Sequence, residues 1–132
     1  MLPLDPITYL AGRWTVQRRL TDLDTGTEGE FEGVAEFAPD GTWTETGRLR
    51  FGGCDGEARR VLRVVDAAVE FEDGRPFHPL DLSVGACAVE HLCGEDRYAG
   101  EYAVLGPDEL RVDWFVTGPR KRQVIESVYR RA

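Results

Sequence analysis

The side chains with the widest chemical range in this sequence are two histidines, His78 and His91, and several polar residues that alternate with apolar ones. His91 lies mid-strand between apolar neighbours, and a histidine can titrate near neutral pH. Together with Glu45 it could form a general acid–base pair for proton transfer. The alternative interpretation is a core histidine hydrogen-bonded to a tyrosine. His91 and Glu45 are therefore the candidate catalytic residues.

Polar side chains also occupy the apolar face of several predicted strands, which is the face that a small barrel turns inward. A buried charge is costly unless it is paired or hydrated, and a core without a ligand would be filled more cheaply by leucine and valine. The pattern therefore predicts a polar-lined internal cavity for a small molecule. The alternatives are a satisfied hydrogen-bond network, or a register error that turns some of these side chains outward.

The predicted wall of that cavity contains His91, Tyr98 and Tyr102, which neighbour one another across the hairpin at residues 94–95. Glu45 and Arg18 are expected on the opposite wall. His78 lies in an irregular, proline-containing stretch, where it is either a contact at the cavity rim or an anchor of the loop. The full set of predicted ligand-binding residues is Arg18, Glu45, His78, His91, Tyr98, Tyr102, Ser127 and Tyr129.

Other site chemistries have less support. The metal-ligand types His78, Asp81, His91 and Cys93 show no compact ligand spacing. A haem bound through one histidine would need more large apolar groups around it than the chain offers. Cys93 or Ser127 could pair with His91 as a nucleophile and base, but no nucleophile elbow is present. We therefore expect no metal and no cofactor.

The charge balance limits the classes of partner. The 132 residues carry a formal net charge of −8, and no basic stripe offsets it, so nucleic acid and anionic membranes are poor candidates. Residues 118–121, Gly-Pro-Arg-Lys, lack the spacing and following helix of a phosphate loop. We expect this turn to place Arg120 and Lys121 at the barrel mouth, where they would attract an anionic ligand.

Length and composition predict one domain over residues 1–132, with 42% hydrophobic and 30% charged residues, as in ordinary globular proteins. No apolar run is long enough to cross a bilayer, and the first residues do not read as a signal peptide, so a cytoplasmic protein is expected. The cysteines Cys54, Cys87 and Cys93 are odd in number and include no C-x-x-C, which indicates free thiols. The oligomeric state is left open between monomer and homodimer.

These side chains must be positioned by strands, because the hydrophobic period is two along nearly the whole chain. Asp5-Pro6 predicts the start of a short helix that ends near residues 11–12. After it, turn signals recur every 8 to 12 residues, as at Pro39-Asp40-Gly41, and bound nine or ten short strands. The prediction is an all-β protein: a closed antiparallel up-and-down barrel of about eight to ten strands with a short N-terminal helix.

The two ends of the barrel sequence carry a family resemblance. Gly12-Arg13-Trp14 on the first strand and Tyr129-Arg130-Arg131 on the last resemble the lipocalin and calycin pattern, in which a terminal arginine covers a tryptophan. A planar guanidinium stacks well on an indole. The resemblance implies a lipocalin-like barrel in which Trp14 is buried and stacked by Arg131 or Arg130 at one end.

A more specific likeness extends over essentially the full chain. Residues 74–78, 91–98 and 114–121, with Ile125, Ser127, Tyr129 and Arg131, are similar to the DUF6314 family of bacterial and fungal proteins. That family also implies a lipocalin-like barrel, but it implies no activity.

From the residues themselves we expect a protein that binds a small organic molecule. An anionic molecule is one candidate for this ligand. The alternatives are a barrel enzyme, an isomerase or cyclase that uses His91 and Glu45, and a structural or interaction module.

Overall fold

The computed structural model describes residues 5–132 of the chain. One helix and ten antiparallel strands follow one another along these described residues. They are α1 (Pro6–Leu10), β1 (Gly12–Asp22), β2 (Glu28–Phe37), β3 (Thr42–Phe51), β4 (Cys54–Val65), β5 (Ala68–Phe71), β6 (Pro76–Pro79), β7 (Ala86–Cys93), β8 (Asp96–Gly106), β9 (Glu109–Gly118) and β10 (Lys121–Arg131). The all-β, up-and-down prediction is confirmed, as is the short N-terminal helix.

Local sequence explains where these elements begin. The Asp5 side chain accepts a hydrogen bond from the Thr8 backbone N–H at 3.0 Å, and Pro6 opens the helix behind it. In the turn between β2 and β3, Gly41 has φ +94, a conformation that side chains rarely tolerate. A Cβ atom at Gly41 would also lie 2.1 Å from the carbonyl oxygen of Val64, so this turn requires glycine.

The ten strands form one sheet in the order β6-β5-β4-β3-β2-β1-β10-β9-β8-β7. β1 pairs with both β2 and β10, so the first and last strands lie side by side inside the sheet. The sheet curls round until its edge strands β6 and β7 come into contact. No backbone ladder joins β6 to β7 in the described part of the chain, so the barrel is nearly closed. The irregular, proline-containing stretch that carries His78 thus contains the short edge strand β6.

The end of the barrel next to α1 is sealed by the pair of residues that the terminal motifs single out. Trp14 is fully buried, and the Arg131 guanidinium lies 4.1 Å from the centre of its ring. Arg131 also donates hydrogen bonds to the carbonyl oxygens of Ala11 and Tyr9 at 2.9 and 2.8 Å. The indole N–H of Trp14 donates to the carbonyl oxygen of Leu10 at 2.8 Å. One arginine therefore ties the helix, the first strand and the last strand together.

Along the strands, buried and exposed side chains alternate as the period-two pattern predicts. In β3, Trp43 and Glu45 are buried, whereas Thr46 and Arg48 are exposed on the opposite face. Apolar side chains fill the half of the barrel nearest α1, including Leu80 and Leu82 from the segment after β6. The polar interior lies beyond this apolar half, towards the other end of the barrel.

Candidate functional site

A buried carboxylate lies at the centre of the polar interior. Glu45 on β3 is 1% exposed and receives hydrogen bonds on both oxygens. Arg18 on β1 donates to Oε1 at 2.9 Å, and Arg60 on β4 donates to Oε1 and Oε2 at 3.0 and 3.3 Å. The Trp43 indole N–H donates to Oε2 at 2.9 Å, and the Tyr129 hydroxyl donates to the same oxygen. The carboxylate is thus saturated with donors.

Arg18 links this carboxylate to the last strand. Its Nε donates to the Ser127 hydroxyl at 2.7 Å, and its Nη2 donates to the Tyr129 hydroxyl at 2.9 Å. Arg18 and Ser127 face each other because β1 and β10 pair them in register. The guanidinium also lies 5.1 Å from the centre of the Phe31 ring. These contacts fix Arg18 in one orientation, with a side chain that is only 12% exposed.

The charges in this cluster do not cancel. Burial by itself would raise the pKa of Glu45, but Arg60, Arg18 and the Tyr129 hydroxyl outweigh it and lower the pKa to about 2. Glu45 is therefore ionised at neutral pH, and two arginines share its single negative charge. The cluster carries a net charge of about +1 inside a protein whose overall charge is −8.

The charged cluster forms one wall of a cavity of about 260 Å³. The rest of the lining is mainly apolar and comes from strands all round the barrel. The residues that line it are Arg18, Leu20, Phe31, Glu45, Leu49, Ala58, Arg59, Arg60, Phe77, Tyr98, Val112, Trp114, Ile125, Ser127 and Tyr129. The space is therefore amphipathic, with polar groups concentrated at the cluster and apolar side chains elsewhere.

The contact between the edge strands is made by aromatic side chains. Phe77 on β6 stacks between Phe71 and Trp114, with ring centroids 4.6 and 5.4 Å apart. It also meets the edge of His91 on β7 at 5.1 Å. Side-chain packing thus takes the place of the missing ladder between β6 and β7. Part of this packing, Phe77 and Trp114, also lines the cavity.

A second polar pair joins β6 to β8 beside this packing. Nδ1 of His78 lies 2.7 Å from the carbonyl oxygen of Pro79, which can only accept, so Nδ1 carries the proton. Nε2 then accepts a hydrogen bond from the Tyr102 hydroxyl at 3.2 Å. Burial lowers the pKa of His78 and favours this neutral form. The pair serves as a cross-strand link, and neither residue lines the cavity.

The model of DUF6314, a family of unknown function, matches residues 10–131. The chain belongs to the DUF6314 family. None of the curated proteins matches it in sequence.

Two solved structures resemble this DUF6314 protein in fold. The S-type phycobiliprotein lyase CPES from Guillardia theta matches with a TM-score of 0.64 and 8% identity, over 96% of this chain and 90% of that one. A protein of unknown function from the DUF3598 family of Nostoc punctiforme matches with a TM-score of 0.62 and 14% identity, over 98% of this chain. The match covers 50% of that second protein's length. At these identities the likeness shows the shared barrel fold alone.

The DUF6314 structure brings most of the predicted polar residues together, but in a different arrangement. Arg18, Glu45, Tyr98, Ser127 and Tyr129 all line the cavity. The predicted cavity wall of His91, Tyr98 and Tyr102 is wrong for two of its three residues. Tyr98 lines the cavity, whereas His91 and Tyr102 do not.

His91 is the main correction. It is half-buried on β7, but the Phe71 and Phe77 rings pack against it at 5.5 and 5.1 Å. Among the described residues it makes no hydrogen bond to Glu45, whose oxygens are occupied by other donors. A carboxylate with a pKa of about 2 is also a poor base at neutral pH. The geometry therefore gives no support to an acid–base pair of His91 and Glu45.

His78 and Tyr102 were also assigned to ligand binding, and their side chains lie elsewhere. Tyr102 is 2% exposed and His78 is 4% exposed, and each is the other's hydrogen-bond partner. Of the two predicted positions for His78, the anchoring one fits this geometry better than a contact at the cavity rim. Tyr102 faces inward as predicted, but it contributes to the packed part of the interior.

The sequence interpretation missed Arg60, although a signal for it was present. Ala58, Arg60, Leu62 and Val64 alternate along β4, and Leu62 and Val64 are buried. The rule that placed Arg18 and Glu45 inside therefore also places Arg60 on the inner face. Arg60 contributes the second positive charge of the cluster, which decides its net charge.

Proposed function

We propose that this protein binds a small, largely apolar molecule that carries a single anionic group, within the barrel cavity. The observation that carries the proposal is the positive excess of the buried cluster: Arg18 and Arg60 share one carboxylate, that of Glu45. An anionic group beside the two guanidinium groups would balance the remaining charge. The apolar lining beyond the cluster would take the rest of the molecule.

The dimensions of the cavity narrow the ligand further. A volume of about 260 Å³ lies just below the range of about 300–1,000 Å³ that is typical of small-molecule sites. Its polar groups are concentrated at one wall, where the arginines, Ser127 and Tyr129 meet. This favours a short amphipathic anion, such as a medium-chain or aromatic monocarboxylate, over a large polar cofactor.

Binding has better support than catalysis. The five donors on Glu45 hold it as a permanent counter-ion, and His91 is separated from it by aromatic packing. A barrel of similar fold occurs in the phycobiliprotein lyase, whose name denotes an enzyme activity, so the fold itself does not exclude catalysis. For this chain, however, the geometry favours an anion-binding cavity over proton transfer.

The proposal can be tested on protein freshly purified from its expression host. Native mass spectrometry should reveal a retained organic acid, or an empty protein that takes up added octanoate. Titration of tryptophan fluorescence would follow binding, because Trp114 lines the cavity and Trp43 contacts the cluster. Octanoate should bind at least tenfold more tightly than octan-1-ol, and octylamine should not bind measurably.

A matched pair of variants separates the cavity from the surface. Arg18→Gln should weaken octanoate binding at least tenfold, because it removes the buried charge. Arg63→Gln changes an exposed arginine on the outer face of β4 and should leave binding within twofold of the unmodified protein. Equal binding of octanoate and octylamine, or equal effects of the two variants, would refute the proposed function.

A further inference from the structure

The barrel wall is incomplete along one side. β4 pairs with β3 over residues 54–63, but its ladder with β5 covers only Leu62–Val65. Among the described residues, the stretch of β4 from Cys54 to Val61 therefore has no strand on its second side. Within residues 5–132, β7 in turn pairs with β8 and with no other strand. These free edges border a lateral gap, which we define as the opening between residues 54–61 of β4 and the end of β7.

Arg60 lies at this gap and joins it to the buried cluster. Its side chain is 41% exposed, although it belongs to the inward face of β4 and contacts the buried Glu45. By comparison, the Arg18 side chain is 12% exposed. The Arg60 guanidinium also lies 5.5 Å from the centre of the buried Trp43 ring. Arg60 is thus the cluster residue that solvent and solutes can reach from outside.

The hydrogen bonds of Arg60 leave part of its guanidinium free. Nε and Nη2 bind the two oxygens of Glu45, whereas Nη1 has no partner within residues 5–132. Nη1 of Arg18 also has no partner within these residues, since Nε and Nη2 make that side chain's contacts. A guanidinium offers five N–H donors, so each arginine retains donors for an additional anion.

The charge of the rest of the protein makes the position of Arg60 important. A surface with a net charge of −8 repels an approaching anion, so a local positive group at an opening would determine where the anion enters. The exposed arginine at the gap has that position. The more buried Arg18 would meet the anion only after it has entered the cavity.

We infer that the anionic ligand enters sideways through the lateral gap, and that Arg60 captures its carboxylate before Arg18 holds it inside. This inference rests on the proposed function, because it concerns the same cavity. It assigns the arginines different roles: Arg60 sets the rate of association, and Arg18 sets the rate of dissociation. Arg60 is then the residue that selects anions from solution.

Stopped-flow tryptophan fluorescence with octanoate can separate these roles. Arg60→Gln should lower the association rate constant at least fivefold. Arg60→Lys keeps the positive charge, so its association rate should stay within twofold of that of the unmodified protein. Arg18→Gln should leave association within twofold and accelerate dissociation at least tenfold. Arg63→Gln should change neither rate.

The ionic-strength dependence gives an independent readout. Between about 0.01 and 0.15 M salt, the screening length shortens from about 30 to 8 Å. The association rate of the unmodified protein should therefore show a more negative salt dependence than that of Arg60→Gln. Thermal melts of each variant would confirm that the fold is kept. If the glutamine variant does not fold, Arg60→Lys still tests whether the positive charge at this position is sufficient for fast association.

The possible outcomes distinguish this inference from the function on which it rests. If octanoate does not bind the unmodified protein, the proposed function fails and the entry route fails with it. If octanoate binds but Arg60→Gln changes only dissociation, the cavity is a binding site and the lateral entry route is wrong. The inference is supported if octanoate associates more slowly with Arg60→Gln than with the unmodified protein and if that association depends less on salt.

Discussion

Replacing Glu45 by glutamine measures how strongly the buried cluster stabilises the fold. Its neighbours lower the pKa of Glu45 from an ordinary value of 4.5 to about 2. At about 1.4 kcal/mol per pKa unit, this difference corresponds to about 3 kcal/mol of folding free energy at pH 7. Because the folded-state pKa is the lower one, this stability is present above pH 4.5 and is lost as the pH falls towards 2. Glu45→Gln should therefore be less stable by about 3 kcal/mol at pH 7 and by only about 1 kcal/mol at pH 3.

Urea unfolding of both proteins between pH 7 and pH 3 provides the assay. The difference between the two proteins isolates Glu45 from the other carboxylates, which titrate in both. Glu57→Gln, on the exposed outer face of β4, is the matched control and should change stability by less than about 0.5 kcal/mol at pH 7. If the loss of stability in Glu45→Gln is below about 1 kcal/mol at pH 7, or equal at both pH values, the two arginines do not stabilise an ionised carboxylate at this position.

Further predictions concern the closed end, the outer surface and the cysteines. Trp14→Ala should cost about 3–5 kcal/mol in chemical unfolding, and a cost below about 1 kcal/mol would contradict the burial of the indole. Asp113 lies opposite Glu101 and Glu126 in the sheet, and burial together with these carboxylates raises its pKa despite nearby Arg111. Asp113→Asn should therefore increase stability by about 0.5 kcal/mol at pH 7, a gain that shrinks as the carboxyl group protonates in acid; a loss at pH 7 would refute this. Mass measurement after alkylation without reduction should show three free thiols, and an intact mass lower by about two daltons would indicate a disulfide instead.

Much of the fold follows from patterns that are local in the sequence. The period of two and the turn residues predict the strands, and each strand's apolar face identifies its inner side. That reasoning places Arg18, Glu45, Ser127 and Tyr129 in the interior, and the structure brings these four side chains into one hydrogen-bonded cluster. The paired terminal motifs likewise point to the contact between the first and last strands.

The neighbours of His91 could not be predicted in the same way. Facing inward does not determine which other element covers a side chain, and here the β5–β6 hairpin places Phe71 and Phe77 against the imidazole. Periodicity is weak in this hairpin because β5 and β6 have only four residues each and Pro76 and Pro79 bound β6. Among the described residues, the short hairpin also leaves residues 54–61 of β4 without a strand on their second side, and Arg60 lies in this stretch. These features depend on contacts between distant segments.

The most direct test of the binding site is a crystal structure of the protein with 8-bromooctanoate, in which anomalous scattering locates the bromine. We expect the carboxylate to lie within hydrogen-bond distance of the Arg18 and Arg60 guanidinium groups. The brominated chain should lie against the apolar lining that includes Phe77 and Trp114. A molecule bound on the outer surface, or inside the barrel with its carboxylate directed away from both arginines, would contradict the account.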